Sequence, residues 1–302
     1  MENSMVDLHL HSLYSDDGEY TPEGLVALCV KAGVKLAAIS DHDNVNGVEE
    51  GIQAGRKAGV VMIPAIEMSC THDGVDLHVL GYGIDHHAEI YKALWLDVLL
   101  QEKRAAKEKM ERIRAAGFAF REEDVKALSR WGIVTGEMIA EAAMAYDVEK
   151  TDPLLQPYYP GGGRSDNPYV NFYWDFFSQG KPAHVPIQHP SLVDTVDIIL
   201  NTGGTPILAH PGQNTQEDEK LLSSIFSCGV CGLEAISSYH DKAQVDFYLA
   251  YAEAHGLLVT CGSDFHGNIK PSIHVGRIDT RGRETEISLL ANGWVCSETT
   301  QG

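Results

Sequence analysis

Nine histidines and acids recur where short apolar runs end: His9 and His11 in MVDLHLHS, Asp16 in SDDG, His42 in ISDHD, Glu67 in AIEM, His78 in VDLHVLG, His210 in LAHP, and Asp264 and His266 in GSDFH. His9 and His11 alternate, so on a strand their side chains share one face, with Asp7 in the same row. An isolated His-x-His is a weak signal. Several strands each handing over to a histidine or acid at one rim is a much stronger one. Imidazole nitrogen and carboxylate oxygen without nearby cysteine suit Zn, Mn or Fe(II) and disfavour a sulfur-rich structural zinc site. So many donors exceed the demand of one tetrahedral ion, so more than one divalent ion is expected, with Glu67 or Asp264 available to bridge. Two ions about 3.5–4 Å apart clamp a phosphoryl group and generate hydroxide near neutral pH.

Such a rim needs elements that bring distant segments together. Residues 5–10, 35–40, 59–66, 205–209, 230–236 and 257–262 are short and apolar and read as buried strands. Helices follow most of them. The first starts at Thr21-Pro22 as cap and first turn and stops at Gly33; others are expected at about 47–58, 191–202, 216–227 and 241–255. Repeated strand-helix units imply a parallel α/β sheet, open or closed into a barrel, whose working surface is the carboxyl end of its strands. Residues 67–83 read as a hairpin turning at His72-Asp73-Gly74, and 86–117 as a long helix. From 118 to 190 the rhythm is lost, and the Pro-, Gly- and aromatic-rich stretch 151–171 reads as a loop or lid. The expected organisation is a barrel domain from 1–117 and 191–302, interrupted by a helical subdomain at 118–190.

Composition narrows the function. The 302 residues carry 43 acids against 23 Lys and Arg, a net charge of −20 that repels nucleic-acid polymers and anionic membranes. A small anionic substrate would need cations inside the site, which bound metals supply. No basic region followed by an apolar run and cleavage site opens the chain, so a cytoplasmic location is expected. The six cysteines (Cys29, Cys70, Cys228, Cys231, Cys261 and Cys296) are scattered, with one Cys-x-x-Cys and no second pair, and read as packing residues.

The ordered motifs DLHLHS…SDDG, ISDHD, the Glu67 segment, LAHP and GSDFH resemble those of the PHP family, named for polymerase and histidinol phosphatase. The resemblance spans about residues 5 to 267. It implies a distorted seven-stranded (β/α) barrel with a two- or three-metal centre. Carried over by position, it assigns His9, His11, Glu67 and Asp264 to a first metal, Glu67, His78 and His210 to a second, and Asp16, His42 and His266 to a third. Within the family the chain looks most like enzymes acting on small phosphorylated molecules, including the nucleoside 3',5'-bisphosphate phosphatase type. Gly180-Lys181-Pro182 before SLVDTVDIILNTGG matches them. Their Arg-x-His segment is replaced by IVTGEMIAEA, with Gly136 and Met138, a departure in the substrate contacts and not in the metal donors.

The expected reaction is hydrolysis of a phosphate monoester of a small metabolite, most simply a nucleotide, by in-line attack of a hydroxide bridging the metals. Asp264 is expected to orient or deprotonate the nucleophile, and His240 to protonate the leaving oxygen or bind phosphate, although it also begins an expected surface helix. Lys181 and Arg164 are candidate phosphate contacts. Asn44 is a further candidate contact or a cap for the helix that follows it. Asp41 and Asp43 are expected to orient imidazoles. His72, His86, His87, His184, His255 and His274 read as exposed, and the aromatics of 172–177 as the core of the small subdomain. Rival readings keep the metals and change the substrate to a cyclic phosphodiester or histidinol phosphate, change the reaction to amidohydrolase-type C–N hydrolysis, or drop turnover altogether in a nucleotide or metal sensor.

Overall fold

The computed structural model describes residues 3–295; Cys296 lies outside them. Seven strands form one sheet in sequence order: β1 (Val6–Leu10), β2 (Leu36–Ile39), β3 (Val61–His72), β4 (Val75–Tyr82), β5 (Thr205–Leu208), β6 (Gly232–Ser237) and β7 (Leu258–Gly262). Neighbours pair parallel except β3 with β4 and β4 with β5, so β4 is the single reversed strand. The sheet curls nearly closed. At its seam Asp264 N–H donates to His9 O and His11 N–H to Phe265 O, both at 2.9 Å. β1, β2 and β6 are buried at every position, as their apolar runs require.

Local chemistry places these elements. Thr21 accepts from Gly24 N–H at 3.0 Å, Pro22 occupies the first turn of the helix Pro22–Ala32, and Gly33 closes it with φ 86°. The β3–β4 turn sits at Asp73 and Gly74, with φ 50° and 78°, the left-handed pair a tight hairpin uses. Helices Val48–Ala58, Leu192–Asn201, Glu219–Ser227 and Lys242–His255 follow the expected spacing. The packing on which this half rests joins Leu10, Leu25, Ile39, Met62 and Phe265.

The chain divides into two compact units. The first comprises 1–92, 189–265 and 273–302; the second comprises 93–188 and 266–272. The long helix Glu89–Ala115 therefore runs mostly in the second unit, which begins at 93 and not at 118. The reason is its apolar stripe: Ala106, Met110 and Ile113 pack with Phe118, Met138, Tyr158, Phe172 and Phe177 in one core. That core takes in Phe172 and Phe177, with Tyr173 and Phe176 packed against it. The described cysteines are unpaired. No described helix is long and apolar enough to cross a membrane.

Candidate metal centre

The donors come from strands of the first unit or from the residues just after them, with Glu67 and His78 inside β3 and β4, because β3 runs on past the expected end of its apolar run to His72. β1 carries His9 and leads into His11. A bridge between His42 and Glu67 extends β2 against β3, with Asp43 N–H donating to Glu67 O at 2.8 Å. β4 contributes His78, and Ala209 N–H donates to His78 O at 3.0 Å, setting His210 beside it. β7 leads to Asp264. Asp43, His210 and Asp264 all have positive φ (49°, 22° and 55°), a conformation non-glycine residues adopt rarely and often at functional sites. The pairing register slips between Asp7 and Leu10 on β1 and between Leu233 and Ile236 on β6, irregularities that re-aim side chains.

The side chains converge on the wholly buried carboxylate of Glu67. Its Oε2 lies 3.2 Å from His9 Nε2, 3.2 Å from His11 Nε2 and 3.1 Å from His42 Nδ1. Its Oε1 lies 3.1 Å from His78 Nδ1 and 2.9 Å from His210 Nε2. Asp264 Oδ1 is 3.0 Å from His11 Nε2 and 3.3 Å from His9 Nε2. His9, His11, Glu67 and Asp264 form one potential ion-holding group, and His42, Glu67 and His78 another, with the donor atoms of each within 4.8 Å of one another.

This donor set fits a metal. His9 Nε2 and Glu67 Oε2 are buried and close, yet neither makes a hydrogen bond. Around an ion with bonds of about 2.1 Å, tetrahedral neighbours stand about 3.4 Å apart, close to the spacings found. Among the described residues the ion-pair partners of Glu67 are all imidazoles. A carboxylate buried this deeply needs positive charge beside it, from protonated imidazoles or from a bound cation.

Without the cation, protons take its place. Burial disfavours charge on His9, but Glu67, Glu234 and Asp264 outweigh it and raise its pKa well above the ordinary histidine value. His11 is likewise opposed by burial and raised to about 9 by the carboxylates of Asp264 and Glu67 close to its Nε2. Burial would raise Glu67, but His9, His78 and His42 drive it well below the carboxylate range. Burial dominates at His42, whose pKa falls well below the usual value.

Supporting residues hold the imidazoles. Asp41 accepts from Ser12 N–H at 2.6 Å, Ser12 Oγ–H at 2.7 Å and Ser15 Oγ–H at 3.0 Å, while Ser15 Oγ lies 2.9 Å from His11 Nδ1. Asp43 accepts from Ser69 N–H at 2.9 Å. Asp7 sits deeper, accepting from Ser263 N–H and Gly276 N–H at 2.8 Å, and burial lifts its pKa to about 6.

The remaining candidate residues are placed as follows. Asp17, not Asp16, stands with His11 and His42, its Oδ1 4.0 Å from His42 Nε2. His266 is buried, in the stretch 266–272 that belongs to the second unit. His240 is half-buried with both ring nitrogens engaged: Nδ1–H donates to Ala235 O at 2.9 Å and Nε2 accepts from Gly212 N–H at 3.0 Å. It braces the turn after His210, so it is not poised to protonate a leaving group. Arg164 is tied to Asp175 by two bonds of 2.9 and 3.0 Å, because the glycine-rich loop folds back onto its helix. Asn44 is buried; its amide donates to Tyr14 O and accepts from Asn46 N–H, fixing a loop, while Gly47 takes the helix cap. Lys181 is exposed in the second unit. His72, His86 and His184 are half-buried and not exposed, held by Ser224 Oγ, Glu49 Oε2 and Phe177 O.

Sequence reasoning passed over Glu234. It is fully buried on β6, with Oε1 3.0 Å from His9 Nδ1 and Oε2 accepting from His210 N–H at 3.0 Å. Its signal was available: one acid inside the otherwise apolar run GLEAIS.

Comparison with known proteins agrees with this geometry. A family model described as the PHP domain matches residues 7–141. A phosphoribosyl 1,2-cyclic phosphate 1,2-diphosphodiesterase of Eggerthella lenta is 29% identical over 89% of this chain and 97% of its own length. A 3',5'-nucleoside bisphosphate phosphatase of Chromobacterium violaceum is 28% identical over 86% of this chain and 87% of its own. Among solved structures, a protein described as a metal-dependent phosphoesterase from Bifidobacterium adolescentis superposes with a TM-score of 0.75 at 26% identity, covering 95% of this chain and 96% of that one.

Proposed function

We propose that the chain is a metal-dependent phosphoesterase of the PHP family, and that it hydrolyses a phosphate monoester of a small nucleotide of the 3',5'-bisphosphate type. The observation that carries the chemistry is the ring of five imidazoles around Glu67, at 2.9–3.2 Å. In this reading His9, His11, Glu67 and Asp264 hold one divalent ion. Glu67, His78 and His210 hold a second, with His42 beside them, and His11, Asp17 and His42 offer donors for a third. Mn, Zn and Fe(II) all suit the set. Divalent ions there would polarise the phosphoryl oxygens and lower the pKa of water to supply the nucleophile. Asp264, at the rim and touching His9 and His11, takes the proton from the attacking water or orients it. Glu67 stays ionised and would supply a carboxylate oxygen to each group of imidazoles. Asp41, through Ser15, fixes the ring of His11.

The substrate rests on likeness to the bisphosphate phosphatase, and the acidic surface agrees with a small anion drawn into a cationic focus rather than a polymer. A cyclic phosphodiester is the second reading, favoured by comparable likeness to the cyclic phosphodiesterase. The test is turnover of a panel of nucleoside 3',5'-bisphosphates, mononucleotides, cyclic phosphates, short oligoribonucleotides, sugar phosphates and histidinol phosphate with defined metals, both inorganic phosphate and the ring-opened or shortened organic products being quantified. Preference for the bisphosphates is expected. Ring opening of a cyclic phosphate without that preference would install the second reading. Release of ammonia from amide substrates, with no phosphate ester turned over, would contradict both.

A further inference from the structure

We infer that Glu234 is a positioning residue that ties the two proposed metal sites together, acting through His9 of the first and His210 of the second; this rests on the proposed metal reading. One carboxylate makes both contacts, with Oε1 3.0 Å from His9 Nδ1 and Oε2 accepting from His210 N–H at 3.0 Å. The register irregularity of β6 lies at this residue, and the chain makes room for it elsewhere. A Cβ on Gly262 would fall 2.2 Å from His9 Cβ and 2.4 Å from Glu234 Oε1, so glycine is what lets ring and carboxylate meet.

The two contacts have different consequences. A carboxylate at Nδ1 keeps the proton there, so the neutral ring of His9 offers its Nε2 lone pair toward Glu67 and Asp264. The contact to His210 N–H pins a backbone at φ 22° that few histidines adopt, and with it the direction of a ring whose Nε2 lies 2.9 Å from Glu67.

Substituting the amide separates them. In Glu234→Gln one end accepts and the other donates. The backbone N–H of His210 can only donate, so the amide oxygen must face it and the amide nitrogen must face His9 Nδ1. That ring then accepts at Nδ1 and carries its proton on Nε2, where the lone pair was needed. Glu234→Gln therefore disables the first site and spares the second, whereas Glu234→Ala loosens both.

The experiment is zinc(II) titration of metal-free wild-type, Glu234→Gln and Glu234→Ala proteins, with bound metal counted by elemental analysis and ring protonation read from histidine 15N shifts. Expected for Glu234→Gln is a loss of about 10- to 100-fold in affinity at one site only, with the His9 proton moved to Nε2. In zinc-loaded wild type the proton stays on Nδ1, a readout that needs no variant and survives if Glu234→Ala fails to fold. Wild-type affinity at both sites in Glu234→Gln, equal loss at both, or a loaded wild type protonated on Nε2 would overturn the inference alone. A wild type that binds no zinc at these residues would overturn the proposed function as well.

Discussion

Proton and metal compete for His11, and the competition has a calculable size. Its pKa is raised to about 9 in the metal-free protein by the nearby carboxylates of Asp264 and Glu67, which overcome burial. An ion can use Nε2 only after that proton leaves. Between about pH 7 and pH 9 the cost of removing it falls by two units, at about 1.4 kcal/mol each, or roughly 3 kcal/mol and about a hundredfold in apparent affinity. His9, also raised well above the usual value, adds a second proton and a steeper slope. His42 adds none, since burial already keeps it neutral. The assay titrates metal-free protein with zinc(II) against a competing chelator at several pH values, correcting for the chelator's own protonation, and repeats it calorimetrically in buffers of different ionisation enthalpy. At least one proton released per ion near neutrality, and affinity climbing at least about tenfold per pH unit, are expected. Affinity changing less than about threefold over that range, with no proton release, would refute the charge assignment of the cluster.

Four further outcomes follow from the same contacts. Because the pKa of His11 is raised from 6.5 to about 9, its stabilising charge pairing is complete below 6.5 and lost as pH rises through about 9; the thermal midpoint of metal-free protein should fall across that window, while the loaded protein changes little. Gly262→Ala should destabilise by about 1–3 kcal/mol in denaturant titration and weaken zinc binding, since the added methyl meets His9 and Glu234. Asp264→Asn should lower kcat by about 10²- to 10⁴-fold with an unchanged circular dichroism spectrum; a loss under threefold would remove Asp264 from the chemistry. Glu67→Ala strands a buried histidine cluster without its counter-charge, so elemental analysis should find both ions lost, with a stability change of about 3–5 kcal/mol by denaturant titration of the metal-free forms.

Much of this was readable along the chain. The strand-helix alternation set the largely parallel sheet, because strands covered on both faces must be apolar along their length and so stand out, while its closing into a barrel came only with the family resemblance. His9, His11, Glu67, His78, His210 and Asp264 were visible as polar residues where such strands end. What the sequence concealed depends on three-dimensional return. The stripe of the long helix looks the same whichever core it joins, so its membership in the second unit could not be read. Asp16 and Asp17 are adjacent acids, and only the turn of the loop decides which reaches His42. His240 and Arg164 have the chemistry of phosphate binders, but their polar atoms are taken up by Gly212, Ala235 and Asp175, partners distant or unremarkable in sequence. Glu234 was hidden inside a strand read as packing. Its partners come from β1 and from the turn after β5 and are adjacent only once the barrel is nearly closed.

The most direct test is anomalous diffraction from crystals of the metal-free protein soaked in manganese(II). Peaks between Glu67, His9, His11 and Asp264 and between Glu67, His78 and His210, at coordination distance from those side chains, are predicted. Crystals that take up manganese elsewhere and leave this cluster bridged only by its own protons would contradict the account.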